Sequence, residues 1–201
     1  MLVVGLTGGL ASGKSHVGQQ LADLGCLLIK ADELGHLVLL PGGEAYAPAV
    51  AEFGPGILNP DGAIDRRKLA AEVFHRTDRL QKLNGLVHPH VRARTRALID
   101  QFAAAHPDGI AVVEAAILVE TGSYKNYDRL IVVTCTEEQQ IARAMDRDGI
   151  TREEAQARLQ RQLPLEEKIR FADYVIDSSG ARETTAAQTR AVYQSLRSIS
   201  K

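Results

Sequence analysis

Five short runs dominated by Val, Ile and Leu punctuate the chain, at residues 2–6, 26–30, 110–113, 129–135 and 174–177. Most of the stretches between them carry apolar residues at helical spacing. Strands that are apolar at every position, alternating with helices, are those of a parallel sheet, because each crossover helix covers one of its two faces. The pattern predicts a doubly wound α/β core of three layers around a mostly parallel, five-stranded sheet. The second and third runs are separated by roughly eighty residues, far more than one crossover requires, so a further subdomain is inserted there. Its pattern is helical. Pro41-Gly42-Gly43 and Asn59-Pro60-Asp61-Gly62 are turn sequences, and Asp65 is placed to cap a helix through about His75. Pro89 suits a first helical position, with Val91, Thr95, Leu98, Ile99 and Phe102 on the face that follows. Later, Thr136-Glu137-Glu138-Gln139 and Thr151-Arg152-Glu153-Glu154 are capping boxes, each predicting a helix start.

The strongest chemical signal lies where the first strand should give way to a helix. Gly8-Gly9-Leu10-Ala11-Ser12-Gly13-Lys14-Ser15 fits G-x-x-x-x-G-K-[ST] in the required strand, loop, helix context, with Val17, Leu21 and Leu24 continuing as a helix face. The glycines allow a tight backbone curl, and the amides of the loop and helix start surround phosphate oxygens with positive dipole. Lys14 adds a charge at the β/γ position. Ser15 offers a hydroxyl to Mg²⁺, an ion that keeps most of its waters and shares the phosphate oxygens. The expected architecture is therefore a P-loop NTPase fold, and the alternative is a glycine-rich turn with an incidental lysine.

The remaining chain decides what kind. Asp32-Glu33-Leu34-Gly35 matches DxxG but follows the second strand, not the third, and NKxD occurs nowhere, which argues against a GTPase. An arginine-rich segment late in the chain suits the small-molecule kinases, which close a basic lid over the transferred phosphate and exclude water. Asp32 ends the second strand at the carboxyl edge where open α/β sheets place ligands, and that strand is expected beside the phosphate-loop strand. A carboxylate there is read either as a general base toward an acceptor hydroxyl or as the cap of the next helix. Arg143 and Arg147, four apart, share a helix face as phosphate partners or as solvated charges. Glu114, at the end of the third strand, is either a carboxylate holding magnesium through water or a strand-end acid paired with a cation. Arg66 and His88 are open between acceptor contacts and ordinary surface or helix-start roles. His88-Pro89-His90 lacks the spacing that would put two histidines on one helix face as metal ligands. Arg158, Arg161 and Lys168 read as lid or surface cations.

Composition narrows the partners. With 24 Lys plus Arg against 25 Asp plus Glu, the net charge of −1 gives no general attraction to a polyanion. Five Tyr, four Phe and no Trp offer no platform for stacking single-stranded bases. Nucleic acid is not an expected partner. No stretch approaches eighteen uninterrupted apolar residues, so neither is a membrane. Cys26 and Cys135 lie in apolar runs far apart, which predicts buried thiols in a reducing compartment, hence the cytoplasm.

Several blocks in order give the sequence a resemblance to the dephospho-coenzyme A kinase family along nearly its whole length. They are GLTGGLASGKS (5–15), ADLGC with KAD (22–32), FGPGILNPDGAIDRRKL (53–69), NGLVHPHV (84–91), ILVETGSYKNYDR (117–129), QIARAMDRD (140–148) and ADYVIDSSG (172–180). The resemblance implies transfer of the ATP γ-phosphate to the ribose 3′-hydroxyl of dephospho-coenzyme A, with Mg²⁺ and with Asp32 as the base. It implies that Gly9, Leu10, Ala11, Ser12, Gly13, Lys14, Ser15 and His16 hold ATP, that Arg143 and Arg147 balance phosphate charge, and that Arg66 and His88 lie on the substrate side. The core would comprise 1–31 and 106–201 with a helical lid about 146–168, and 32–105 would form the coenzyme A subdomain. A monomer or small homo-oligomer is expected. The chain departs from the family pattern at Lys30, where relatives usually have aspartate, at His16, usually threonine, and at Glu114-Ala115-Ala116, which replaces an Asp-Val-Pro-like run.

Overall fold

The structure, a computed structural model, describes residues 1–73 and 76–200. Each of the five apolar runs forms a strand: β1 (Leu2–Gly8), β2 (Leu27–Lys30), β3 (Ile110–Glu114), β4 (Arg129–Thr134) and β5 (Tyr174–Asp177). They pair in the order β2-β3-β1-β4-β5, and every pairing is parallel. The expected five-stranded parallel sheet is present, and one expectation is corrected: β2 neighbours β3, not the phosphate-loop strand, which lies between β3 and β4. Burial explains the order. β1, β3 and the centre of β4 are almost entirely buried, whereas the four-residue strands β2 and β5 are largely half-exposed and occupy the edges.

Nine α-helices are present among the described residues: α1 (Lys14–Asp23), α2 (Ala31–Leu37), α3 (Tyr46–Phe53), α4 (Arg66–Val73), α5 (Thr77–Ala105), α6 (Glu137–Asp148), α7 (Arg152–Leu159), α8 (Leu165–Ile169) and α9 (Arg182–Ile199). The chain divides into two compact units, one of residues 1–30 and 100–201 and the other of 31–99. In the first, Val17 and Leu21 of α1 and Val192 and Leu196 of α9 pack with Val4, Leu6, Ile131, Val133 and Ile176 of the sheet in one buried cluster. Both capping boxes form: the Thr136 and Thr151 hydroxyls accept from the amides of Gln139 and Glu154, and the threonine amides donate in return to the side-chain oxygens of Gln139 and Glu154. The second unit has its own core of Ala49, Phe53, Ile57, Leu69 and Val73. Asp65 accepts from the amides of Arg67 and Lys68 at 2.8 and 3.2 Å, the predicted cap of α4. The expected end of that helix near His75 lies outside the described residues.

The helix expected to begin at Pro89 instead runs from Thr77 to Ala105, with Pro89 inside it. A proline removes one backbone hydrogen bond and crowds the carbonyl four residues back. Packing on both sides outweighs that loss, since Leu83 and Leu86 lie against the second unit's core and Thr95 and Ile99 are buried further along. His88 is accordingly a mid-helix residue rather than one at a helix start.

Cys26 is buried as expected, but Cys135 is only partly so. Burial drives the Cys26 thiol up to about 12. A thiol whose folded-state value is raised stabilises the fold below its unfolded value near 9 and loses that contribution as pH rises toward 12. Cys26→Ala is therefore expected to flatten the fall of melting temperature between pH 9 and pH 11. An unchanged slope in the variant would show that Cys26 does not titrate differently on folding.

Candidate active site

β1 stops at Gly8 and α1 starts at Lys14, so the chain must turn back within five residues. Two glycines permit this by close approach. A Cβ on Gly8 would lie 2.4 Å from the Val133 carbonyl oxygen and 2.5 Å from Ser12 Oγ, and one on Gly9 would lie 2.0 Å from Gln140 Nε2. Gly13 has φ 89°, and Ala11, at φ 49°, is the one non-glycine residue of positive φ among the described residues. Left-handed backbone is costly for alanine and is retained where surrounding bonds over-determine it. Those bonds are present. The Gln140 amide donates to the Leu10 carbonyl at 2.8 Å, and the Ser178 hydroxyl donates to the Ser12 carbonyl at 2.7 Å.

The loop opens onto a pocket of about 290 Å³ lined by Ala11 to His16, Arg143 and Arg147. α1 starts at Lys14, so the loop ends at a helix N-terminus, whose positive dipole end suits phosphate. Arg143 is fixed rather than solvated, donating to the Ser178 carbonyl at 2.8 Å and its hydroxyl at 3.1 Å. Arg147 pairs with Asp148 at 2.7 Å, and Arg158 shares that carboxylate at 3.0 Å. The Arg147 guanidinium and its hydrogen bonds hold the Asp148 carboxyl below the usual carboxylate range. His16 is exposed and lies 3.0 Å from the Gln20 amide.

Lys14 turns back on the loop, donating to the carbonyls of Gly9 at 2.8 Å and Gly8 at 3.4 Å. Ser15 Oγ, in the first turn of α1, donates to Glu114 Oε1 at the end of β3 at 2.7 Å, so the partner of Glu114 is a hydroxyl rather than a cation. Its other oxygen, Oε2, is buried with no hydrogen-bond partner among the described residues. Gly18 leaves room there, as a Cβ would stand 3.3 Å from Oε2. A hydroxyl beside a buried carboxylate with an unused oxygen is a donor set suited to a hard divalent cation.

In the second unit, Asp32 is the second residue of α2, which follows directly on β2; its carboxylate is exposed and makes no hydrogen bond to the described residues. It therefore does not cap α2. Arg66 opens α4 and lies 2.6 Å from His36 Nε2. A guanidinium can only donate, so that nitrogen is the acceptor of a neutral imidazole, and burial together with Arg66 keeps the His36 value low. His88 is half-buried in α5, and burial likewise lowers it.

Four contributors escaped sequence reading. Gln140 and Ser178 brace the loop from within the recognised blocks, but their types carry no phosphate chemistry of their own. Lys168, expected at the surface or in a lid, is 0 % exposed, paired with Glu120 at 2.7 Å and donating to the Ala116 carbonyl at 3.0 Å. It sits in the charged string Glu166-Glu167-Lys168, whose pattern marks none of its members as buried.

A family model described as dephospho-CoA kinase matches residues 2–183. The dephospho-CoA kinase of Geobacillus kaustophilus is 42% identical over 200 residues, covering 100% of this chain and 99% of its own. Among solved structures, TT1252 from Thermus thermophilus is similar with a TM-score of 0.81 at 30% identity over 97% of both chains. Dephospho-CoA kinase from Campylobacter jejuni has a TM-score of 0.70 at 26% identity, covering 99% of this chain and 98% of that one.

Proposed function

The chain belongs to the dephospho-CoA kinase family, ATP-dependent kinases that transfer the ATP γ-phosphate to the ribose 3′-hydroxyl of dephospho-coenzyme A, and we propose that its phosphate loop, Asp32 and Arg143 carry that step. The supporting observation is the loop itself: a braced curl, a lysine, a helix N-terminus and a fixed arginine on one pocket. The amides of residues 9–16 hold the phosphates. Lys14 exchanges its loop carbonyls for β- and γ-phosphate oxygens, and Arg143, preset by Ser178, meets the charge that spreads over the transferred group. Asp32 takes the proton as the 3′-oxygen bonds to the γ-phosphorus and the bond to the β–γ bridging oxygen breaks, leaving ADP. Ser15 and Glu114 would hold Mg²⁺, which when bound neutralises phosphate charge. Arg66 and His88 serve the acceptor side, and Arg147 the lid.

The protein works in the cytoplasm as a monomer or small homo-oligomer; the free thiols support the compartment. Among the described residues no helix is long and apolar enough to cross a membrane. ADP release from Mg-ATP is expected to require dephospho-coenzyme A and to stop when EDTA removes the metal. ATP binding with no acceptor-dependent ADP would instead favour a regulatory nucleotide-binding module, and turnover with a different alcohol alone would reassign the acceptor.

A further inference from the structure

Two ammonium groups converge on one oxygen of the phosphate loop. Lys14 Nζ and Lys168 Nζ each lie 3.4 Å from the Gly8 carbonyl oxygen. They are held very differently. Lys14 reaches into the pocket and its closer partner is the Gly9 carbonyl. Lys168 comes from α8, with partners for its three protons in the Gly8 carbonyl, the Ala116 carbonyl and Glu120 Oε1. Glu120 is fixed in turn, since the same oxygen accepts from the Leu163 amide at 3.1 Å on the approach to α8. Thr7 Oγ1 donates to the Ala116 carbonyl at 3.1 Å, so the turn after β3 is secured to β1 as well.

A buried cation with a full set of acceptors and a carboxylate partner has no need to move. Removing one partner of such a pair leaves a charge in a low-dielectric site, which is strongly unfavourable. Lys14, by contrast, must release its loop carbonyls to reach a phosphate. When it leaves, Gly8 keeps a donor only because Lys168 stays. Like charges sharing an oxygen also repel, which favours the mobile one moving away.

We propose that Lys168 is a positioning residue for phosphoryl transfer: anchored by Glu120, it holds the Gly8 carbonyl and so frees Lys14 to bind the β- and γ-phosphates. This rests on the kinase reading for its role in turnover, though not for its effect on nucleotide binding. The test is a binding cycle read by calorimetry with ATP and with AMP, which lacks the β- and γ-phosphates. The proteins are the unaltered chain, Lys14→Met, the charge-neutral pair Glu120→Gln/Lys168→Met, and the triple variant. The pair variant is expected to weaken ATP by about tenfold with AMP unchanged, the scale of a hydrogen bond to a charged group. In the triple variant the loss should not exceed that of Lys14→Met alone, because both act through one lysine. ATP affinity equal to that of the unaltered chain, losses that multiply in the triple, or AMP weakened as much as ATP would each overturn the proposal. Glu120→Gln alone keeps Lys168 but removes its anchor; a smaller loss for ATP supports the proposal, and no loss overturns it, even where the pair variant does not fold. If the unaltered chain gives no ADP in response to dephospho-coenzyme A, the acceptor assignment fails while this binding cycle still decides the role of Lys168.

Discussion

Asp32→Asn is expected to lower kcat by about 10²- to 10⁴-fold, the usual contribution of a positioned general base, with ATP affinity and melting temperature nearly unchanged. Asparagine keeps the shape and the capacity to accept a hydrogen bond, but it cannot take the proton released as the acceptor oxygen bonds to phosphorus. The structure removes the main competing explanation for a defect, loss of a helix cap. Asp65 shows what a cap looks like here, with two amide bonds at 2.8 and 3.2 Å, whereas the exposed Asp32 carboxylate accepts none from the described residues. Its structural worth is confined to a negative charge in the first turn of α2, about 0.3–1 kcal/mol at a surface position. Steady-state kinetics with the acceptor varied, beside calorimetric ATP titration, separate the outcomes. A fall in kcat with unchanged ATP affinity identifies a group acting on the transferring phosphate or its acceptor. Turnover equal to that of the unaltered chain would place the base elsewhere.

The parts legible in the sequence were those fixed by local rules. A fully apolar run bounded by turns can be little other than a buried strand, and Thr136 and Thr151 announce α6 and α7 because a capping box satisfies two orphan amides at once. The phosphate loop was readable for the same reason, its glycines answering to backbone geometry within eight residues. What failed depended on distant partners. Nothing in the β2 run says that it pairs with β3 rather than β1; the fainter signal was its short length and the charged Lys30 at its end, marks of an edge strand. Pro89 obeyed a statistical preference for helix starts that the packing of Leu83, Leu86, Thr95 and Ile99 overrode. Lys168 was misread because burial of a lysine requires acceptors from elsewhere in the fold. Gly8, Ala116 and Glu120 lie 160, 52 and 48 residues away in sequence and come together only once the sheet has formed.

Lys14→Met should cost about 10²–10³ in kcat/KM for ATP, comparable to deleting one preorganised donor from a site of developing charge. Methionine keeps an unbranched stem of similar reach, so the pocket wall survives while the charge does not. The loop should survive too. Its curl is held by Gln140 on Leu10 and Ser178 on Ser12, neither of which involves the lysine side chain. With the ammonium acting at the β and γ positions, as proposed above, the loss should grow with the number of phosphates, large for ATP and slight for AMP. Arginine is not expected to rescue it: a planar fork is bulkier than a point charge and cannot occupy the position between the Gly8 and Gly9 carbonyls in the same way. Calorimetry across AMP, ADP and ATP makes the distinction. Equal losses for all three would mean that the lysine serves the loop's own structure, and its bonds to the Gly8 and Gly9 carbonyls would then be its function rather than the state from which it departs.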